Sequence, residues 1–212
     1  MNIADLRKEY QLETLDEKQA PANPLHLFQA WFEEVLKAEA NEPNAMCLST
    51  CGDGKHPHSR IVLLKGISEG GFEFYTNYHS SKGQALEANP YCSLNFFWPE
   101  LERQVRISGK AVKLTSEESD AYFATRPRES QIGAWVSQQS EVIRSREVLE
   151  AQLNQTTANF ENKEVMRPPH WGGYRVNPSE IEFWQGRPSR LHDRLAYTQL
   201  ESGAWKLERL SP

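Results

Sequence analysis

Cysteine is scarce in this 212-residue chain: Cys47, Cys51 and Cys92 are the whole supply. An odd number with one close pair builds neither a disulfide framework nor a zinc-type ligand set, so buried, reduced thiols are expected. Long apolar runs are missing as well. Met1 to Ala20 is polar and charged, which fits neither a signal peptide nor a membrane span, and a cytoplasmic location is expected. Positive charge is not in excess: the net charge is −5 and the pI about 5.7, which argues against a general nucleic-acid binder. There is no Walker-type phosphate loop, and no Gly-x-Gly-x-x-Gly follows a strand pattern, so the common dinucleotide routes are closed. No nucleophile elbow appears. His56-Pro57-His58 falls in a turn, with poor metal spacing, and no metal site is expected.

What is present is ordinary soluble-protein composition, 38% hydrophobic and 25% charged, with six Trp, nine Phe and seven Tyr to fill a core or an interface. The length suits one domain. Residues 1–22 read as a mobile arm and 23–212 as a single domain. Asn23-Pro24 is an N-cap followed by proline at the first helical position, and Leu27, Phe28, Trp31, Phe32, Val35 and Leu36 then recur at helical spacing, which predicts a helix over 24–39. From Ala45 the pattern turns to strands: 46–50, 59–65, 72–77, 91–98 and 102–114, separated by Gly, Asp and Pro turns. Ser80 caps a short helix over 81–88. Thr115 to Glu118 is a capping box opening a helix over 116–125. Residues 130–139 suggest a short helix plus loop, and Ser140 is read as the cap of the next helix. A proline-containing loop over 161–170 leads to strands at 171–177, 180–185, 190–199 and 204–210. Short strands joined by tight turns, not alternating with helices, imply an antiparallel barrel or sandwich rather than a doubly wound sheet.

Cationic residues gather at strand and helix ends. Arg60 and Lys65 bracket the apolar run Ile61–Leu64. Lys82 lies in the first turn of a short helix, where free backbone N–H groups favour phosphate. Arg126 and Arg128 flank Pro127, with Ser130 nearby. On a strand beginning at Arg190, side-chain alternation puts Arg190, His192 and Arg194 on one face and Leu191, Asp193, Leu195 and Tyr197 on the other. Such a wall suits a planar anion. By itself it reads as a solvated strand face, as most charged faces are.

The runs Arg60-Ile-Val-Leu-Leu-Lys65, Phe74-Tyr-Thr-Asn77, Leu101-Glu-Arg-Gln-Val105, Arg126-Pro-Arg128, Ser130-Gln-Ile-Gly-Ala-Trp-Val-Ser137, Trp171-Gly-Gly173, Ile181-Glu-Phe-Trp-Gln-Gly186 and Arg190-Leu-His-Asp-Arg194 occur in order. Together they resemble the pyridoxine/pyridoxamine 5′-phosphate oxidase family over nearly the whole chain. The resemblance implies an α+β fold, an antiparallel split β-barrel with flanking helices, and a homodimer with FMN at the subunit interface. It implies oxidation of pyridoxamine or pyridoxine 5′-phosphate to pyridoxal 5′-phosphate, with hydride leaving C4′ for the flavin and O2 becoming H2O2.

Matched position by position, the resemblance implies cofactor contacts at Arg60, Ile61, Val62, Leu63, Leu64, Lys65, Tyr75, Thr76, Ser81, Lys82, Gln104, Gln139, Ser140, Trp184 and Arg194. It implies a substrate-phosphate clamp of Lys65, Tyr122, Arg126 and Ser130. Arg190 and His192 are the implied catalytic pair over the substrate ring, with Leu191 between them. Arg7, Lys8, Glu9 and Tyr10 resemble a segment that closes over substrate. Ser81 departs from the family, which often has Arg there, so one phosphate charge is absent or a hydroxyl contact replaces it. Two other readings stay open on these residues: a split-barrel FMN reductase using a nicotinamide cofactor, and a non-enzymatic flavin- or pyridoxal-phosphate-binding protein.

Overall fold

The computed structural model describes residue 3, residues 9–68 and residues 70–212. Helix α1, Pro24–Lys37, starts where the sequence says it should: the Asn23 side chain accepts the Leu25 N–H and Pro24 occupies the first turn. Its buried face, Phe28, Trp31 and Val35, packs on the sheet. Phe28 meets Phe72 and Phe96 edge-on at 4.9 and 5.1 Å between ring centroids, and Trp31 meets Phe183 at 5.2 Å. Truncating a fully buried Phe of this kind costs about 3–5 kcal/mol.

The strands are β1 (Ala45–Thr50), β2 (His58–Leu63), β3 (Gly66–Ser68), β4 (Gly71–Asn77), β5 (Tyr91–Trp98), β6 (Arg103–Lys113), β7 (Trp171–Gln185), β8 (Asp193–Gln199) and β9 (Trp205–Arg209). Among the described residues they form one antiparallel sheet in the order β2-β1-β5-β6-β7-β4-β3, with β8 and β9 added beside β7. The sheet curls as a half-barrel, in the expected α+β split-barrel class. The helices are α2 (Ser81–Ala88), α3 (Ser116–Ala124), α4 (Arg128–Val136) and α5 (Arg146–Asn159). The Ser80 cap and the Thr115–Glu118 capping box are both formed.

Strand β7 organises the molecule. Its first half pairs with β4 (Phe72↔Val176 to Asn77↔Trp171) and its second half with β8 (Glu180↔Thr198 to Gln185↔Asp193), so β4 and β8 follow one another along one edge. The sequence reading divided it into two strands, 171–177 and 180–185. The chain instead runs through, because the register shift at Ser108/Gly109 on β6 absorbs Pro178. Gly109 is required there: a Cβ would lie 2.2 Å from the Asn177 carbonyl oxygen.

Two other expectations are corrected. Ser140 does not cap a helix. Its φ is 77°, whereas a cap residue needs extended backbone, and α5 begins only at Arg146. The last strands also start later than expected. Pro188–Arg190 is a 3-10 turn, with Ser189 and Arg190 at φ 57° and 61°, and β8 begins at Asp193. Arg190 and His192 therefore do not alternate with Arg194 along one strand face. Short strand β3 was not anticipated.

A smaller core, Phe123, Ile132, Val136, Val165 and Trp171, joins α3 and α4 to the start of β7.

Candidate active site

A cavity of about 670 Å³ opens between the end of β2, strand β4, and helices α2, α3 and α4. Ile61, Val62, Leu63 and Lys65 line one side, Tyr75, Thr76 and Lys82 the floor, and Tyr122, Arg126 and Ser130 the helical side, with Gln139 at the rim. Residues from both implied groups thus share one space. Of the β2 run, Leu64 turns away and is buried in the core. Arg60 also turns away, its Nη1 donating to the Leu48 carbonyl at 3.1 Å and Thr50 Oγ1 at 2.9 Å.

Two cations dominate the cavity. Lys82 stands in the first turn of α2, and its Nζ donates to Gln139 Oε1 at 2.7 Å and Thr76 Oγ1 at 3.2 Å. Burial, and then the positive charge of Arg60, pushes its pKa down to about 8. Ser81 and Ser140 sit beside it, the Ser81 N–H donating to Ser140 Oγ at 3.2 Å. That contact is what the Ser140 hydroxyl does in place of capping.

Arg126 lies over the Trp171 ring at 4.5 Å and near Phe123 at 5.7 Å, a cation–π seat. Its Nη1 is buried and has no hydrogen-bond partner among the described residues. Burial lowers its pKa, but a guanidinium keeps its charge. Arg126 lines the cavity with donor capacity left unfilled, which makes it a candidate anion seat, since an unbonded buried donor is costly. No sequence pattern marks Trp171 for this role: its place under Arg126 depends on how α3 docks on β7, a contact 45 positions apart. The stacked rings of Tyr75, Tyr122 and Trp171 complete this wall.

The remaining expected residues gather at the other end of β7. Gln104, Trp184 and Arg194 form a row across β6, β7 and β8. The His192 ring lies 4.6 Å from Trp184, and Tyr10 meets both edge-on at 5.6 and 5.9 Å. His192 Nδ1 accepts the Arg187 N–H at 3.1 Å, so the neutral ring carries its proton on Nε2. Burial and the charge of Arg190 lower its pKa, favouring that neutral form. Arg194 is held by Glu182, Nε to Oε1 at 2.8 Å, and by the Ser211 carbonyl. Glu9 and Leu191 are exposed. Arg7 and Lys8 lie outside the described residues.

None of this second cluster lines the cavity. Gly173, at the cavity end of β7, and Trp184 are eleven residues apart on one strand, which is roughly 35 Å of extended chain. Within one copy of the chain the expected residues therefore fall into two separate groups.

Residues 32–160 match the family model described as pyridoxamine 5′-phosphate oxidase. The chain belongs to this family. Residues 171–212 match the pyridoxine 5′-phosphate oxidase C-terminal dimerisation region, the segment that contains Trp184, Arg190, His192 and Arg194. A pyridoxine/pyridoxamine 5′-phosphate oxidase of Nostoc punctiforme is 56% identical over 210 residues, 99% of this chain and 98% of that one. One from Gloeothece citriformis is 56% identical over 211 residues, 100% and 99% of the two chains. Among solved structures, PhzG from Burkholderia lata 383, in complex with tetrahydrophenazine-1-carboxylic acid, is 31% identical with a TM-score of 0.89, covering 95% of this chain and 100% of that one. A pyridoxamine 5′-phosphate oxidase-related FMN-binding protein of Nostoc punctiforme shares the fold at a TM-score of 0.71 and 15% identity, covering 87% of this chain and 97% of that one. The family placement makes this chain an oxidoreductase.

Proposed function

We propose that this chain, as a homodimer, uses FMN to oxidise pyridoxamine 5′-phosphate and pyridoxine 5′-phosphate to pyridoxal 5′-phosphate. For the amine, substrate, O2 and water give the aldehyde, ammonia and H2O2. For the alcohol, substrate and O2 give the aldehyde and H2O2. When bound, FMN supplies the two-electron redox chemistry. No helix among the described residues is long and apolar enough to cross a membrane. A cytoplasmic setting goes with the proposal.

The observation that carries this reading is that two cations from different elements, Lys82 on the floor and Arg126 on the helical side, line one cavity. Two phosphate-bearing molecules fit that arrangement. Lys82, with Thr76, Gln139 and the Ser81/Ser140 pair, would hold the phosphate of FMN. Tyr75, Ile61, Val62, Leu63 and Lys65 would flank the rest of it. Arg126, with Lys65, Tyr122 and Ser130, would clamp the substrate phosphate. Each charge-assisted hydrogen bond there contributes roughly 1.5–3 kcal/mol.

The second half-site comes from the other copy. Arg190 and His192 would lie over the substrate ring, with Gln104, Trp184 and Arg194 closing around the cofactor. A neutral His192 with its proton on Nε2 is a hydrogen-bond donor, and Arg190 offers a planar cation for stacking. Their work is to position substrate, since aligned reacting atoms matter most for this step. Glu9 and Tyr10, with Arg7 and Lys8, would cover the ring from the arm.

The test is direct. The purified protein is expected to bind FMN, turn yellow, and release H2O2 with pyridoxamine phosphate. Oxidation of NADH without response to the B6 phosphates would instead support a nicotinamide-dependent reductase. A yellow protein producing no peroxide from either would support a carrier.

A further inference from the structure

Glu102 sits in the turn before β6, only 2% exposed and at φ 55°. Its Oε2 accepts the Gln11 N–H at 2.8 Å and the Leu12 N–H at 3.3 Å. Its carbonyl accepts the Gly186 N–H at 2.8 Å. One residue thus grips the arm through its side chain and the start of the 186–192 loop through its backbone. Tyr10, next to Gln11, is the residue packed on Trp184 and His192. The arm comes this close because position 186 is glycine: a Cβ there would lie 2.7 Å from Tyr10 Cβ. Farther along, Asp193 Oδ2 accepts the Leu15 N–H at 3.1 Å, and Arg187 and Arg209 donate to the carbonyls of Glu13 and Leu15.

We propose that Glu102 is a positioning residue, fastening the arm so that Tyr10 closes over His192. The proposal rests on the reading that His192 faces the substrate ring. A carboxylate taken almost wholly out of water is tolerable only when its oxygens are bonded, and the arm amides supply bonds. The arm joins the sheet here through side-chain acceptors and donors rather than a strand ladder, so it can loosen while the barrel stays intact.

The test uses the full-length, FMN-loaded protein and reads amide hydrogen exchange together with steady-state kinetics on pyridoxamine phosphate. Glu102→Ala is expected to speed exchange at Gln11 and Leu12 about tenfold with the β5 and β6 amides unchanged, and to raise KM about tenfold with little change in kcat. Glu102→Gln, which retains an acceptor, is expected between wild type and Glu102→Ala. Gly186→Ala keeps the carboxylate but crowds Tyr10, its Cβ at 2.7 Å from Tyr10 Cβ and 3.0 Å from Glu102 Cβ, and is expected to give the same rise in KM. It decides the matter if Glu102→Ala does not fold.

Unchanged exchange at Gln11 and Leu12 in Glu102→Ala would overturn the fastening. Faster exchange with KM unmoved would overturn its link to substrate. An active wild type with either result removes only the role of Glu102. A wild type inert toward pyridoxamine phosphate removes the functional reading itself, and the exchange measurement still judges the fastening.

Discussion

The rings of Tyr75 and Tyr122 stack 3.8 Å apart at 15°. Tyr75 comes from β4 and Tyr122 from α3, so this contact seals the helical side of the cavity to its floor. Burial, followed by the negative charge of Glu73, pushes the Tyr75 pKa up to about 12, which keeps the phenol neutral across the working range. Tyr122→Phe preserves the stack and is expected to leave thermal stability nearly unchanged. Tyr122→Ala is expected to cost about 1–2 kcal/mol. Thermal unfolding of the two variants checks the difference.

Arg126 is expected to discriminate phosphorylated from dephosphorylated substrate. Removing it as Arg126→Ala should raise KM for pyridoxamine phosphate by roughly 10- to 150-fold, the equivalent of one charge-assisted bond. Arg126→Lys should recover little, because a point charge neither stacks on Trp171 nor presents the guanidinium fork. Trp171→Leu is expected to raise KM in the same direction by unseating the guanidinium. Kinetics on the phosphorylated and free amines reads all three.

The depressed pKa of Lys82 gives a pH signature of known sign. Its ordinary value of 10.5 falls to about 8 in the folded chain. Between about 8 and 10.5 the unfolded chain binds more protons, so in wild type without flavin this residue makes stability rise with pH across that window. Anion binding needs the protonated form, so FMN affinity is expected to fall as pH rises through about 8. Lys82→Met should flatten both trends. Denaturant titration and flavin fluorescence across pH measure them.

Much of the fold was legible because its signals are local. Asn23, Ser80 and the Thr115–Glu118 box each declare a helix start from within four residues, and each is formed. Ser140 misled for the opposite reason: its hydroxyl is engaged by Ser81, a partner 59 residues away that no local pattern reveals. Arg190 and His192 misled because the left-handed backbone at Ser189 and Arg190 breaks the alternation their spacing suggested. The cations of the cavity were visible as residues. Their seats, Trp171 beneath Arg126 and Gln139 against Lys82, come from tertiary docking and could not be read from spacing.

Ser81 is exposed at the mouth beside Lys82, with its backbone N–H already engaged by Ser140. Ser81→Arg leaves that backbone bond in place and adds a cation. It is expected to tighten FMN about tenfold at low salt and much less at high salt, where exposed charges are screened. Flavin titration at two ionic strengths checks this.

The most direct measurement is complementation between two impaired variants, assayed at pyridoxamine phosphate well below the KM of Arg126→Ala. Arg126→Ala damages the cavity half-site and His192→Ala the half-site at the far end of β7. Unfolded together and refolded as mixed dimers, they are expected to regain about a quarter of wild-type activity, because half of the dimers then hold one intact site. Mixed dimers that form but stay as impaired as their parents would contradict a site shared between two copies.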